Sequence, residues 1–298
     1  MKDRAHLTTE KRNPRTRDID RRSTLGIVDA INAEDRRVAP AIGLERRRIA
    51  RAVDLVVESF RRGGRLVYVG AGTSGRLGVL DASECPPTYG VSPTRVQGII
   101  AGGRRALVRS AEGAEDREAD GAAAVDRRGV GPRDTVCGIA ACGLTPYVRG
   151  AIRRARRLGA RTAFITCAPE VARGIPADVV ISPVVGPEVV TGSTRMKAGT
   201  ATKLVLNTLT TTAMIRLGKV YGNLMVDLRA TSAKLRDRAE RIVMAATGLG
   251  RARARTLLAK AGGEAKVAIL MHARRLGRTE AVARLAACGG RLGRAIES

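Results

Sequence analysis

The chain has 298 residues, 44% of them hydrophobic, enough for the core of one large domain or of one domain plus a small appendage. Its 54 basic and 28 acidic side chains leave a net charge of +26, but aromatics are only 2%, so the stacking platforms used by single-strand nucleic-acid binders are scarce. No apolar run reaches the roughly 18 residues of a membrane span, and the N-terminal MKDRAHLTTEKRNPRTRDIDRR lacks the apolar stretch of a secretory signal.

Residues 23–62 read as helices, because Ile27, Val28, Ile31 and then Ile49, Val53, Val56, Val57 recur at helical spacing. The β-branched run Leu66 to Val69 reads as a buried strand that feeds directly into Gly70-Ala71-Gly72-Thr73-Ser74-Gly75. Strand, Gly/Ser/Thr loop and helix N-terminus together make an anion site, since free backbone N–H groups and the helix dipole both favour phosphate. Gly70, Gly72 and Gly75 also have the G-x-G-x-x-G spacing of a dinucleotide site. Such a site wants an acid about 20 residues on, whereas the next strand candidate, 96–101, runs into Gly102-Gly103-Arg104-Arg105. NAD is therefore not expected; a loop that is Gly-rich only for packing is the plainer alternative.

Strand candidates at 65–70, 96–101, 135–141, 162–167 and 179–185 alternate with helical stretches such as Pro146 to Leu158. That alternation predicts an α/β fold with a parallel sheet covered on both faces. Ligands in such folds sit at the carboxyl ends of strands, where the chain carries Gly72-Thr73-Ser74, Cys142-Gly143-Leu144-Thr145 and the loop to Ser193-Thr194. Residues 194–217 read as a long helix capped by Ser193 or Thr194. After about residue 240, short helices separated by Gly262-Gly263 and Gly289-Gly290 suggest a helical appendage.

The five cysteines, Cys85, Cys137, Cys142, Cys167 and Cys288, are odd in number and form no C-x-x-C pair, which reads as reduced cytoplasmic thiols without a zinc site. His6 and His272 lie in the two terminal regions, so a Ser-His-Asp arrangement is not expected. One acidic position stands out, Glu84, just before Cys85-Pro86-Pro87; Glu112-Gly113-Ala114-Glu115-Asp116 holds three further acids that spacing does not separate. Only eight of the 54 basic residues are Lys, and the Arg residues are spread over the chain, as on solvated helix faces. No specific nucleic-acid partner and no membrane partner are expected. DNA binding should be weak and should vanish as salt rises; sequence-selective binding in a shift assay near physiological ionic strength would overturn that.

The string LVYVGAGTSGRLGVLDASECPPTYG at 66–90 closely resembles the N-acetylmuramic acid 6-phosphate etherases, and other blocks follow in family order. These are Leu7-Thr8-Thr9-Glu10-Lys11-Arg12-Asn13-Pro14, Ala111 to Asp116, Pro183 to Val189 with Glu188, Thr191 to Thr200, and Lys219 to Asp227. The resemblance implies a three-layer αβα sugar isomerase (SIS) fold: an N-terminal helical arm at 1–50, the sugar-phosphate-binding domain at 51–225 and a helical region at 226–298. It implies a carbon–oxygen lyase, a cytoplasmic homodimer whose active site borrows residues from the partner, and no metal or redox cofactor. It assigns Glu84 and Glu115 as the acid/base pair. Phosphate and substrate contacts would come from Gly72, Thr73, Ser74, Gly75, Cys142, Gly143, Thr145, Glu188, Ser193 and Thr194. The chain departs from the family at Ala141-Cys142-Gly143-Leu144-Thr145-Pro146-Tyr147, where a serine and an arginine are usual in place of Cys142 and Leu144. A thiol is a poorer donor than a hydroxyl, so reduced substrate affinity is expected. A non-catalytic sugar-phosphate-sensing regulator and a sugar-phosphate isomerase share the phosphate grip and remain alternatives.

Overall fold

The computed structural model describes residues 4–228, 230 and 232–298. They fall into two compact units, one of Met1–Ser83 and Thr94–Thr210 and one of Glu84–Pro93 and Thr211–Ser298.

In chain order the first unit holds α1 (Thr24–Asp35), α2 (Val38–Leu44), α3 (Arg46–Arg61), β1 (Leu66–Gly70), α4 (Gly72–Tyr89), β2 (Val96–Ile100) and α5 (Glu118–Arg127). It continues with β3 (Thr135–Ile139), α6 (Pro146–Arg157), β4 (Arg161–Ile165), α7 (Pro169–Ala172), β5 (Val179–Ile181) and α8 (Lys197–Arg216). The last residues of α4 and α8 belong to the second unit. The five strands are all parallel in the order β2-β1-β3-β4-β5. β1 and β3 are buried along their whole length, which is why they read as unbroken apolar runs rather than as alternating ones. Val67, Val69, Val136 and Phe164 pack under α5 and α6 through Ala124, Val125, Val148 and Ile152. Tyr68 points to the opposite face, where its hydroxyl donates to Asp81 of α4 at 2.9 Å, and Ser59 of α3 meets Thr135 of β3 at 2.6 Å. Helices on both faces of a parallel sheet make the expected three layers.

Several expected boundaries differ: the strand expected at 135–141 ends at Ile139, and the one expected at 162–167 is Arg161–Ile165. β5 stops at Ile181 instead of 185 because the Ser182 amide turns to Glu45 Oε2 at 3.0 Å and Pro183 has no N–H to offer the ladder. The helix expected from 194 begins at Lys197, and neither Ser193 nor Thr194 caps it. Its first amides, those of Lys197 and Ala198, donate to the Glu188 carboxylate at 3.0 and 2.9 Å.

The second unit contains α9 (Ala233–Thr247), α10 (Arg251–Lys260), α11 (Ala265–Arg274), α12 (Arg278–Ala287) and α13 (Leu292–Glu297). They enclose a core that includes Ala239, Val243, Ala268, Leu270 and Ala281. Lys266 lies inside this unit, its ammonium donating to Gly218 O, Gly290 O and Asp227 Oδ2 at 2.7–2.9 Å. Among the described residues no helix is long and apolar enough to cross a membrane.

Candidate active site

The chain runs from β1 to β2 on one side and to β3 on the other, so the carboxyl ends of β1 and β3 diverge and leave a crevice. A cleft of about 210 Å³ opens there. Three helix N-termini line it: α4 through Ala71 to Ser74, α6 through Cys142, Thr145 and Pro146, and α8 through Thr194, Ala198 and Gly199. The termini of α4 and α6 bring unsatisfied N–H groups and the positive ends of their dipoles, which favour an anion. At the third terminus the Glu188 carboxylate already takes the first amides. An incoming phosphate is therefore left with the hydroxyls and amides of α4 and α6.

The glycines of the loop divide the work. Gly72 has φ +51, a conformation glycine adopts without strain. A side chain at Gly75 would meet Gly70 O at 2.9 Å and Ile100 Cγ1 at 2.6 Å, so Gly75 lets α4 pack closely against the end of β1 and does not itself line the cleft.

A second lobe of about 160 Å³ continues the cleft on the other side of the loop, between α4 and the segment from Ala101 to Glu115. Ala71, Gly72 and Glu115 line both lobes. Of the rival acids, Asp116 reaches only the first lobe and Glu112 only the second. Glu112 accepts a 2.9 Å bond from Ser110. The Glu115 side chain is exposed, but its backbone is anchored, its carbonyl accepting from the Tyr147 amide of α6 at 3.0 Å.

Glu84 is exposed and sits on the part of α4 that belongs to the second unit; it is not among the residues lining either lobe. Gly143 and Ser193 are also outside the lining. Gly143, at φ +68, shapes the turn after β3. Glu188 is 1% exposed, and burial raises its carboxyl pKa although the α8 amides oppose this. It builds the helix terminus rather than facing the cleft.

Arg4 and Thr202 line the cleft without being among the expected site residues, and Glu10 of the N-terminal block lines it too. Glu10 belongs to the Leu7 to Pro14 block and lines the cleft of its own chain. The segment is strapped to the first unit. Thr8 N and Oγ1 donate to Glu170 at 3.1 and 2.5 Å, Asn13 Nδ2 to Pro187 O at 3.1 Å, and Thr16 Oγ1 to Val189 O at 2.8 Å.

Comparison with known proteins gives the family. The sequence pattern of the glucokinase regulatory protein N-terminal SIS domain matches residues 48–156. N-acetylmuramic acid 6-phosphate etherases from Photorhabdus laumondii, Trichormus variabilis and Clostridium botulinum are 53%, 50% and 52% identical. The alignments cover 89%, 91% and 89% of this chain and 88%, 89% and 88% of theirs. The chain belongs to the N-acetylmuramic acid 6-phosphate etherase family. A solved structure of the phosphoheptose isomerase GmhA from Neisseria gonorrhoeae aligns at TM-score 0.46 and 15% identity, over 64% of this chain and 98% of that one. Within the etherase family frame, Cys142 is notable because its thiol, half-buried and free, lies on the cleft wall beside Thr145. Its fellow thiols Cys137 and Cys167 are wholly buried, and burial pushes both up to about 12, so they act as core side chains.

Proposed function

We propose that this chain cleaves the D-lactyl ether of N-acetylmuramic acid 6-phosphate, giving N-acetylglucosamine 6-phosphate and D-lactate, in the recycling of cell-wall amino sugars. The observation that carries this reading is about 50% identity to etherases over nine-tenths of the chain, with a cleft that joins two helix N-termini to the carboxylates of Glu10, Glu115 and Asp116 supplying the physical support.

The phosphate takes the hydroxyls of Thr73, Ser74 and Thr145, with Thr194 on the opposite wall. Opening of the sugar ring exposes an aldehyde at C1, which acidifies the proton on C2. A carboxylate removes that proton, the electron pair forms the C2=C3 double bond, and the C3–O bond breaks as the lactyl oxygen takes a proton. Water then adds across the double bond, hydroxyl to C3 and proton to C2. Two carboxyl groups with separate duties suffice, each contributing typically about 10²–10⁴-fold. We assign proton transfer at the lactyl oxygen to Glu84 and give Glu115 the partner acid/base role. The rest of the reading is a cytoplasmic homodimer with an arm at 1–50, a sugar-phosphate domain at 51–225 and a helical region at 226–298. The partner chain contributes to the site.

The test is incubation of purified protein with the muramic acid 6-phosphate and assay of D-lactate, without added metal and again with a chelator. Robust release in both supports the reading. The match to a kinase-regulator SIS domain over 48–156 favours one other reading, a sensor that binds sugar phosphate without turnover; binding with no D-lactate released would establish it.

Cys142→Ser should tighten substrate binding roughly tenfold. A hydroxyl donates a stronger bond to a phosphate oxygen than a thiol does, and bonds to charged groups are worth about 1.5–3 kcal/mol, of which the thiol and water already recover part. Turnover should change less, because the phosphate is held equally in ground and transition states. The check is the Michaelis constant of both forms with inorganic phosphate as competitor; unchanged values for both ligands would remove Cys142 from the phosphate.

A further inference from the structure

The two lobes share Glu115 but differ in electrostatic character. In the first, the N-termini of α4 and α6 supply the positive potential. In the second, the one cation among the described lining residues is Arg76, one turn into α4. Its Nε donates to Leu107 O at 3.1 Å. That bond fixes the guanidinium on its inner edge, and among the described residues Nη1 and Nη2 have no protein partner. Glu112, the acid of this lobe apart from Glu115, is engaged by Ser110. The lobe therefore presents a pre-oriented, half-buried pair of N–H donors beside a carboxylate that also faces the phosphate lobe.

The substrate reading above, on which this inference rests, supplies a ligand with two anions flanking the reacting carbons. One is the 6-phosphate and the other is the carboxylate of the lactyl group on C3. A phosphate suits converging helix termini. A planar carboxylate suits the fork of a guanidinium, which binds it through two parallel N–H···O bonds. We propose that Arg76 binds the lactyl carboxylate in the second lobe and is the residue that distinguishes the muramic acid substrate from its N-acetylglucosamine 6-phosphate product. With phosphate in one lobe and carboxylate in the other, C2 and C3 lie over the shared wall, where Glu115 stands. Once the ether is cleaved the sugar phosphate no longer carries the second anion, so the product is held by one lobe only. The exposed Arg4 of the first lobe is the competing cation, but among the described residues no backbone carbonyl holds its guanidinium as Leu107 O holds that of Arg76.

The experiment measures the Michaelis constant for the muramic acid 6-phosphate and the inhibition constant of N-acetylglucosamine 6-phosphate in wild type, Arg76→Gln, Arg76→Lys and Arg4→Gln. Arg76→Gln should raise the Michaelis constant by roughly tenfold to hundredfold, the range for a lost charged hydrogen bond, and leave the product's inhibition constant nearly unchanged. Arg76→Lys should recover part of the loss, because it keeps the charge but not the fork. Equal shifts in both constants, or a selective shift in Arg4→Gln alone, would overturn the proposal. Should Arg76→Gln fail to fold, the wild type is compared on the substrate and on its lactyl primary amide; equal efficiency overturns the assignment, and a drop of tenfold or more for the amide supports it. If the wild type releases no D-lactate, the etherase reading fails separately, and calorimetry of the two sugar phosphates then tests the carboxylate site: tighter binding of the muramic acid form supports it and equal affinity overturns it.

Discussion

Glu115→Gln is expected to lower D-lactate release by about 10²-fold or more while substrate binding is largely kept, because the amide retains the shape and loses the titratable proton. The expectation rests on position: Glu115 is the acid that borders both lobes, and its backbone is held by the Tyr147 amide. Glu84→Gln should fall by a similar factor. Single-turnover measurement separates chemistry from binding for each variant. Glu112→Gln, Asp116→Asn and Glu10→Gln are the necessary comparisons, since each of these acids touches one lobe. A crippled Glu112→Gln beside a normal Glu115→Gln would reverse the choice within that block. Near-normal turnover of Glu84→Gln together with loss in Glu10→Gln would give the second role to the N-terminal arm.

The largest effect on stability is expected at the ion pair under the arm. Glu34 and Lys197 are 2% and 1% exposed and form a direct salt bridge. Arg15 closes on Glu34 from the half-exposed side at 2.5 and 3.1 Å. Glu34→Ala leaves the ammonium buried without its counter-ion, and breaking such a pair costs about 3–5 kcal/mol. Urea unfolding at neutral pH checks this; a loss below about 1 kcal/mol, the scale of an exposed pair, would mean that the pair contributes little. Burial pushes the Glu34 carboxyl up, but the bonds from Arg15 and Lys197 outweigh it and bring it from 4.5 down to about 2. A pKa lower in the folded chain than in the unfolded one stabilises above the unfolded value, and the contribution drains away as pH falls from about 4.5 toward 2. At 1.36 kcal/mol per pH unit the full contribution is about 3 kcal/mol. Wild type should therefore lose stability on acidification more steeply than Glu34→Gln; parallel curves would sink the assignment.

The parts fixed by local chemistry were legible in the sequence. β1 and β3 are buried hydrogen-bonded ladders, so their apolar runs declare them, and the Gly70 to Gly75 loop declares the first helix terminus because only glycine tolerates that turn and that close approach. The three Ser/Thr-bearing loops meet at one end of the sheet, as the loops that follow parallel strands must. Within the Glu112 to Asp116 block, by contrast, three acids within five residues look alike until the chain bends, and the fold alone distinguishes the one that borders both lobes. The same holds for Glu188, which a motif marks as a substrate contact but which the start of α8 claims for its own amides. Glu10 comes within reach of the cleft only because Thr8, Asn13 and Thr16 tie the arm to residues more than 150 positions away. Sequence by itself determined the strands, the glycine turn and the family, because these depend on neighbours along the chain. Tertiary structure decided which carboxylates and which arginine meet in the cleft, because hydrogen bonds between residues far apart in sequence leave no local pattern to read.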